Sequence, residues 1–226
     1  TYYGFYGSAK KYIKINNFEI RNISYNSADS NAMCGIAGIN SLFWNITNNF
    51  IHDVGYWKND GVHDPGGHGI LLTLPNDMLI SNNTITKTGK TGISSDGMVN
   101  STISKNEIYS YIQWLIDISG YYRAPNNVTI SENIIHDFYQ YDCKTNTLDT
   151  LEGIFWNGSS CTSPDNPHTD GIFIRDALVN APTNITLEKN LIYNNKDFQS
   201  HFDGTAHIYF SNTGSGNTIR NNILIN

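Results

Sequence analysis

Three histidines and four carboxylates crowd into two short stretches near the end of the chain. Asn166–Asp176 reads NPHTDGIFIRD, and Lys196–Phe210 reads KDFQSHFDGTAHIYF. His168, Asp170, Arg175 and Asp176 stand in the first stretch; Asp197, His201, Asp203 and His207 stand in the second. Carboxylates and histidines at this density can pass protons between a substrate and water, one group as acid and another as base. Asp170 with Asp197 or Asp203 is the expected acid–base pair. His168, His201 and His207 are expected to orient those carboxylates or share their protons. Arg175, with Trp156, would hold substrate. The bland alternative is that Asp-Gly closes turns and the histidines line solvated strand edges.

Two other stretches carry candidate chemistry. WKNDGVHDPGGHGILL, Trp57–Leu72, holds Asp60, His63, Asp64 and His68, types that bind metals or exchange protons. Its Asn-Asp-Gly, Asp-Pro-Gly-Gly and His-Gly runs are turn sequences, and a turn is the preferred expectation. The segment 138–167 breaks the regularity described below. It offers Tyr141, Lys144 and Trp156, with Tyr139 and Phe155, as platforms and polar contacts for a sugar ring. Cys143 and Cys161 lie in the same segment, where a disulfide would close a short loop; reduced thiols are the alternative. Ile51–Asp53 and Ile135–Asp137 both read IHD. Because the phrase recurs at one place in a repeat, a structural turn is expected there rather than a catalytic pair.

The elements that must position these residues are repeats. IKINNFEI, NITNNFIHD, LISNNTITK, TISKNEIYS, TISENIIHD, TLEKNLIYN and TIRNNILIN align on Asn17, Asn49, Asn83, Asn106, Asn133, Asn190 and Asn222. Each is apolar-x-apolar before the asparagine and apolar again after it. Alternation with period two marks short strands with one buried face. The asparagine is placed at the bend between strands, where it tolerates left-handed backbone and can form a ladder. A second phrase opens at Gly35, Gly69, Gly92 and Gly171, a constant spacing before the asparagine in the first three. Repeats of this length, built of strands, predict a parallel β-helix of about seven turns. The fold class expected is all-β, a single-stranded parallel β-helix over 1–226, with 138–167 as an insert.

The I-x-x-N-x-I repeat resembles that of the right-handed parallel β-helix superfamily, the fold of pectate lyases, polygalacturonases and many secreted proteins, and that resemblance implies the right hand of the helix. HTDGI at His168–Ile172 resembles the NTDGI element of polygalacturonases, which implies a catalytic carboxylate at Asp170. That family follows with a paired Asp-Asp one turn on, where this chain has Asn194-Asn195-Lys196-Asp197. Glycoside hydrolysis generally uses two carboxyl groups. A lyase of this fold uses a cationic base, for which Arg123, Lys144 and Arg175 are available, and often calcium held by carboxylates of neighbouring turns.

Composition narrows the partners. The net charge is -6 with 15% charged residues, and no basic run exists, so a nucleic-acid groove is not expected. No apolar run is long enough to span a membrane. Seven N-x-S/T sequons start at Asn22, Asn45, Asn82, Asn100, Asn127, Asn157 and Asn184. They are candidate glycosylation sites, although a chain with 31 asparagines produces sequons by chance. Both ends read as cut, consistent with a piece of a longer solenoid. The expectation is a secreted or cell-surface protein that meets a polysaccharide, as a hydrolase or lyase. The alternative is a structural or adhesive protein whose copies stack end to end.

Overall fold

The structure is a computed structural model that describes residues 2–23, 33–55, 67–109, 114–137, 170–176, 180–193 and 206–225. It contains 21 strands in three parallel sheets of seven. In chain order, each turn gives one strand to each sheet. The first sheet holds β1 (Tyr2–Ser8), β4 (Met33–Ile39), β7 (His68–Thr73), β10 (Thr91–Asp96), β13 (Trp114–Ser119), β16 (Asp170–Arg175) and β19 (Ala206–Ser211). The second holds β2 (Lys14–Asn16), β5 (Asn45–Thr47), β8 (Leu79–Ser81), β11 (Val99–Ser104), β14 (Asn126–Ser131), β17 (Thr183–Glu188) and β20 (Thr218–Arg220). The third holds β3 (Glu19–Ile23), β6 (Phe50–Val54), β9 (Thr84–Thr88), β12 (Glu107–Tyr109), β15 (Ile134–His136), β18 (Leu191–Tyr193) and β21 (Ile223–Ile225). This is the expected parallel β-helix of seven turns.

Register explains the isoleucine-rich phrases. Ile36, Ile70, Ile93, Ile116 and Ile172 pair down the first sheet. Ile15, Ile46, Ile80, Ile103 and Ile130 do so in the second. Ile20, Ile51, Ile85, Ile108, Ile135 and Ile192 do so in the third. All of these are buried in one core cluster. A fully buried Ile is worth roughly 1.5–3 kcal/mol, so stacking the same residue rung after rung builds the core. Where a glycine precedes the first-sheet isoleucine, as at Gly35, Gly69 and Gly171, it is required for space. A Cβ on Gly35 would lie 2.6 Å from the Gly69 carbonyl oxygen and 2.6 Å from Ile51 Cγ2.

The bend between the second and third sheets corrects the expected role of the asparagines. The left-handed residue is the one before the central asparagine: Asn48 (φ 56°), Asn82 (55°), Lys105 (56°), Glu132 (55°), Lys189 (56°) and Asn221 (54°). The central asparagines, buried except for the half-buried Asn222, form the ladder, each Nδ2 donating to the Oδ1 of the next. The run passes from Asn49 to Asn83, Asn106, Asn133, Asn190 and Asn222 at 2.9–3.0 Å. In the first turn the aligned Asn17 is itself the left-handed residue (64°), and Phe18 occupies the ladder slot, its N–H donating to Asn49 Oδ1. NNF offers two asparagines, and the pairing of Ile15 with Ile46 selects the register.

The histidines of the IHD phrases face the outer side of the third sheet. His52 Nδ1 bonds Asp53 Oδ2 at 2.5 Å, and His136 Nδ1 bonds Asp137 Oδ2 at 2.9 Å. His136 stacks between Tyr109 and Tyr193 at 4.8 and 5.0 Å. One slot of the repeat therefore makes the same local contact twice, the structural role expected.

Candidate functional site

In sequence, residues 24–32, 56–66, 110–113, 138–169 and 194–205 each lie between a third-sheet strand and the first-sheet strand that follows. The first residue of a first-sheet strand is therefore the one that follows each of these segments, apart from Gly67 before β7. The residues at the N-terminal edge of the first sheet form a buried column: Cys34, His68, Thr91, Trp114 and Asp170 pair successively in register. Cys34, His68, Thr91 and Asp170 are all buried. Burial pushes the Cys34 thiol up to about 12, only partly offset by the His68 backbone N–H, so it is a protonated thiol and not a nucleophile. Burial, assisted by Lys90, pushes His68 down to about 3, and its Nδ1 has no hydrogen-bond partner. His68 therefore opens a strand as a neutral imidazole, which corrects the expectation of a turn there.

Asp170 is fully buried, and its Oδ1 accepts the Ala206 N–H at 2.9 Å. His207 lies in the slot that glycine fills in most turns, and its Nε2 donates to the Ile225 carbonyl at 3.0 Å, across to β21. Arg175 stands at the other end of β16, five residues from Asp170, or roughly 16 Å at ~3.3 Å per residue. The structure therefore does not bring Arg175 to Asp170. His168, Asp197, His201, Asp203, Tyr141, Lys144 and Trp156 lie outside the described residues, as do Cys143, Cys161, Asp60, His63 and Asp64.

What the structure does assemble is a cluster centred on Arg175. Its Nε donates to Asp117 Oδ1 at 3.2 Å. Its guanidinium carbon lies 4.6 Å from the Trp114 ring and 5.1 Å from the Phe173 ring, within cation–π range. Trp114 and Phe173 are 5.4 Å apart, and Phe173 stacks on Tyr209 at 5.1 Å. Asp117 is 2% exposed and also takes a 3.4 Å hydrogen bond from Ser94 Oγ. Burial raises its carboxyl above the ordinary value, while Arg175, Ser94 and Lys90 pull it down. The Arg175 side chain is 30% exposed, and neither Nη has a hydrogen-bond partner among the described residues. A guanidinium fixed through Nε and two rings, with its terminal fork open, is preorganised to grip a carboxylate or sulfate with two parallel bonds.

Next to this cluster, Asp96 Oδ1 accepts the N–H groups of Tyr121 and Tyr122 at 2.8 and 3.1 Å. Arg123 donates to the carbonyls of Gly97 and Pro75, so that cation braces the backbone. Among the described residues no three His, Cys, Asp or Glu side chains are grouped to hold a metal ion.

Asp117 escaped the sequence reading. The glycine that flags first-sheet phrases is replaced by Leu115 in this turn, so WLIDIS does not align by eye. The signal was present nonetheless. Counting two residues past the glycine slot places Asp117 in the outward column of Ser94, Phe173 and Tyr209.

The six described sequon asparagines, Asn22, Asn45, Asn82, Asn100, Asn127 and Asn184, are all exposed. Five of them have φ between 49° and 56°, so the corners of the helix call for asparagine whether or not a glycan is attached. Asn157 lies outside the described residues.

Residues 58–226 match the family described as the right handed beta helix region. No curated protein matches the chain in sequence. Among solved structures, the periplasmic alginate epimerase AlgG aligns at 15% identity with a TM-score of 0.57, over 99% of this chain and 47% of that one. A double mutant of the same epimerase aligns equally, over 98% and 47%. The Dettilon tailspike protein aligns at 16% identity with a TM-score of 0.45, over 95% and 47%. This chain thus spans about half the length of the solved structures it resembles, and at these identities the likeness is one of fold. Among the described residues no helix is long and apolar enough to cross a membrane.

Proposed function

The chain belongs to the right-handed β-helix family, and from that premise we propose that it binds an acidic polysaccharide along the outer face of the first sheet. The observation that carries this reading is the open fork of Arg175, held by Asp117, Trp114 and Phe173. An anionic group on a sugar would pair with the fork, and the ring of Tyr209, 42% exposed, would meet an apolar sugar face. The alignment with an alginate epimerase supports a carbohydrate ligand, and an extracytoplasmic setting belongs to the same reading. Where the bound chain is also cleaved, proton transfer falls to Asp170 with Asp197 or Asp203.

Binding to polygalacturonate and to a neutral glucan tests this. Arg175→Gln alone would strand the buried Asp117 carboxylate, so it is combined with Asp117→Asn. The double variant is expected to lose about tenfold or more in polygalacturonate affinity, as removal of a charged, two-pronged hydrogen bond implies. Arg175→Lys should retain part of the affinity, since it keeps charge without the fork. Measurement with calcium and with chelator shows whether the ion contributes. A folded double variant that binds polygalacturonate like the parent would overturn the reading.

A further inference from the structure

The corner between the first and second sheets has a second feature that the Arg175 cluster does not use. One slot there is left-handed in every turn: Tyr12 (φ 59°), Phe43 (57°), Asp77 (55°), Asn100 (49°), Asn127 (55°), Asn184 (53°) and Gly216 (78°). Backbone bonds and bridges fix the equivalence, with Lys11 bridging Leu42, Leu42 bridging Asn76 and Asn76 bridging Val99. Five turns fill the slot with Asp, Asn or Gly, the residues that take this conformation at little cost. Turns one and two fill it with bulky aromatic residues, for which the conformation is strained. Those two rings gain no burial in return. Tyr12 is 75% and Phe43 42% exposed, and they stack on each other at 4.9 Å with planes 3° apart.

The platform is rigid and basic. Tyr12 N–H donates to the Leu42 carbonyl, Phe43 N–H to the Asn76 carbonyl, and the buried Trp44 donates Nε1–H to the Lys10 carbonyl at 3.0 Å. Lys10, Lys11 and Lys14 lie within two residues of Tyr12 in sequence, all exposed, and none is paired with a carboxylate among the described residues. Three unpaired cations in five residues stand out on a chain whose net charge is -6.

We propose that Tyr12 and Phe43, with Lys10, Lys11 and Lys14, form a second contact site for an acidic polysaccharide. A sugar ring would lie against the aromatic pair, and its carboxylates would lie among the lysines. Local charge opposite to that of the whole molecule favours a polyanion, and exposed aromatic faces favour a sugar over a bare anion. The proposal takes its ligand class from the Arg175 reading, yet the two sites are separable. Arg175 stands four turns from Phe43 and five from Tyr12, roughly 19–24 Å at ~4.8 Å per rung, beyond the range at which substitutions interact directly.

Affinity electrophoresis in polygalacturonate, with a neutral glucan as reference, tests it. Tyr12→Asn with Phe43→Asn supplies the residue other turns use in this slot, so the thermal midpoint should hold or rise while retention falls about fivefold. Lys10→Gln, Lys11→Gln and Lys14→Gln together should weaken binding and flatten its salt dependence. Unchanged retention in both variants overturns the proposal. A loss here with normal binding in Arg175→Gln/Asp117→Asn upholds this site and removes the other; the reverse removes this one. Sedimentation decides the remaining case: an oligomer that dissociates in the Asn variant, with retention unchanged, makes the corner a contact between copies and overturns the proposal.

Discussion

Asn106→Ala is expected to destabilise the protein by about 4 kcal/mol or more, as read by urea denaturation. Asn106 is 1% exposed and sits in the middle of the ladder. Its Oδ1 accepts from the Asn83 backbone N–H at 3.0 Å and from Asn83 Nδ2 at 2.9 Å. Its Nδ2 donates to the Ile80 carbonyl at 3.1 Å and to Asn133 Oδ1 at 3.0 Å. Truncation deletes four hydrogen bonds and strands buried partners on both neighbouring turns. Stranding a buried polar group costs roughly 1–3 kcal/mol each, against a typical total stability of 5–15 kcal/mol. Asn106→Asp should be at least as harmful, because a carboxylate cannot donate to Ile80 or Asn133. The internal control is Asn222→Ala. Asn222 is only partly buried and ends the ladder, so its loss should cost markedly less. Equal effects at the two positions would mean that the asparagines are turn residues and that the ladder itself contributes little.

The seven turns were legible because each level of the sequence repeats one instruction. Period-two alternation makes strands, isoleucine recurs at the inward slots, and asparagine recurs where the backbone must turn. Finer detail was not legible, because two adjacent asparagines do different jobs. In NNF at Asn48–Phe50 and SNN at Ser81–Asn83 the first asparagine takes the left-handed backbone and the second makes the ladder, and composition cannot separate them. Lys105, Glu132 and Lys189 show that the left-handed position does not need asparagine, whereas the ladder does. An alignment judged by turn propensity therefore picks the wrong residue, and one judged by the buried isoleucines picks the right one.

The candidate site divides along the same line. Arg175 was visible because it follows a recognisable strand phrase. The partners that give it meaning come from other turns: Asp117 and Trp114 from β13, Tyr209 from β19. Contacts between turns depend on register. Register was obscured where Leu115 replaces glycine and where an insert separates β15 from β16. Density of ionisable residues along the sequence was a weaker guide. It grouped Asp170 with His207 and Arg175, which the strands point to different ends and sides of the sheet.

Acid should unfold this protein largely through His68, with a loss on the order of 3 kcal/mol between pH 7 and pH 4. The sign follows from burial. An unfolded histidine titrates near its ordinary 6.5, and burial pushes His68 in the fold down to about 3. The stabilisation is fully present above pH 6.5. It is lost progressively as pH falls from there toward 3, because the unfolded chain takes up a proton that the folded one refuses. At pH 4 the gap is about 2.5 units at 1.36 kcal/mol each. Asp117 acts in the opposite sense. Its carboxyl is raised in the fold, so lowering the pH through that raised value favours the folded state, and it offsets part of the loss. His68→Gln removes the titration at similar size. Its stability is expected to vary much less between pH 7 and pH 4, even where its value at pH 7 is lower. Asp117→Asn should steepen the fall. Denaturation curves at four pH values distinguish these slopes. A parent protein equally stable at pH 7 and pH 4, with His68→Gln parallel to it, would mean that the imidazole is hydrated or paired in solution and that the first-sheet column is open to water at His68.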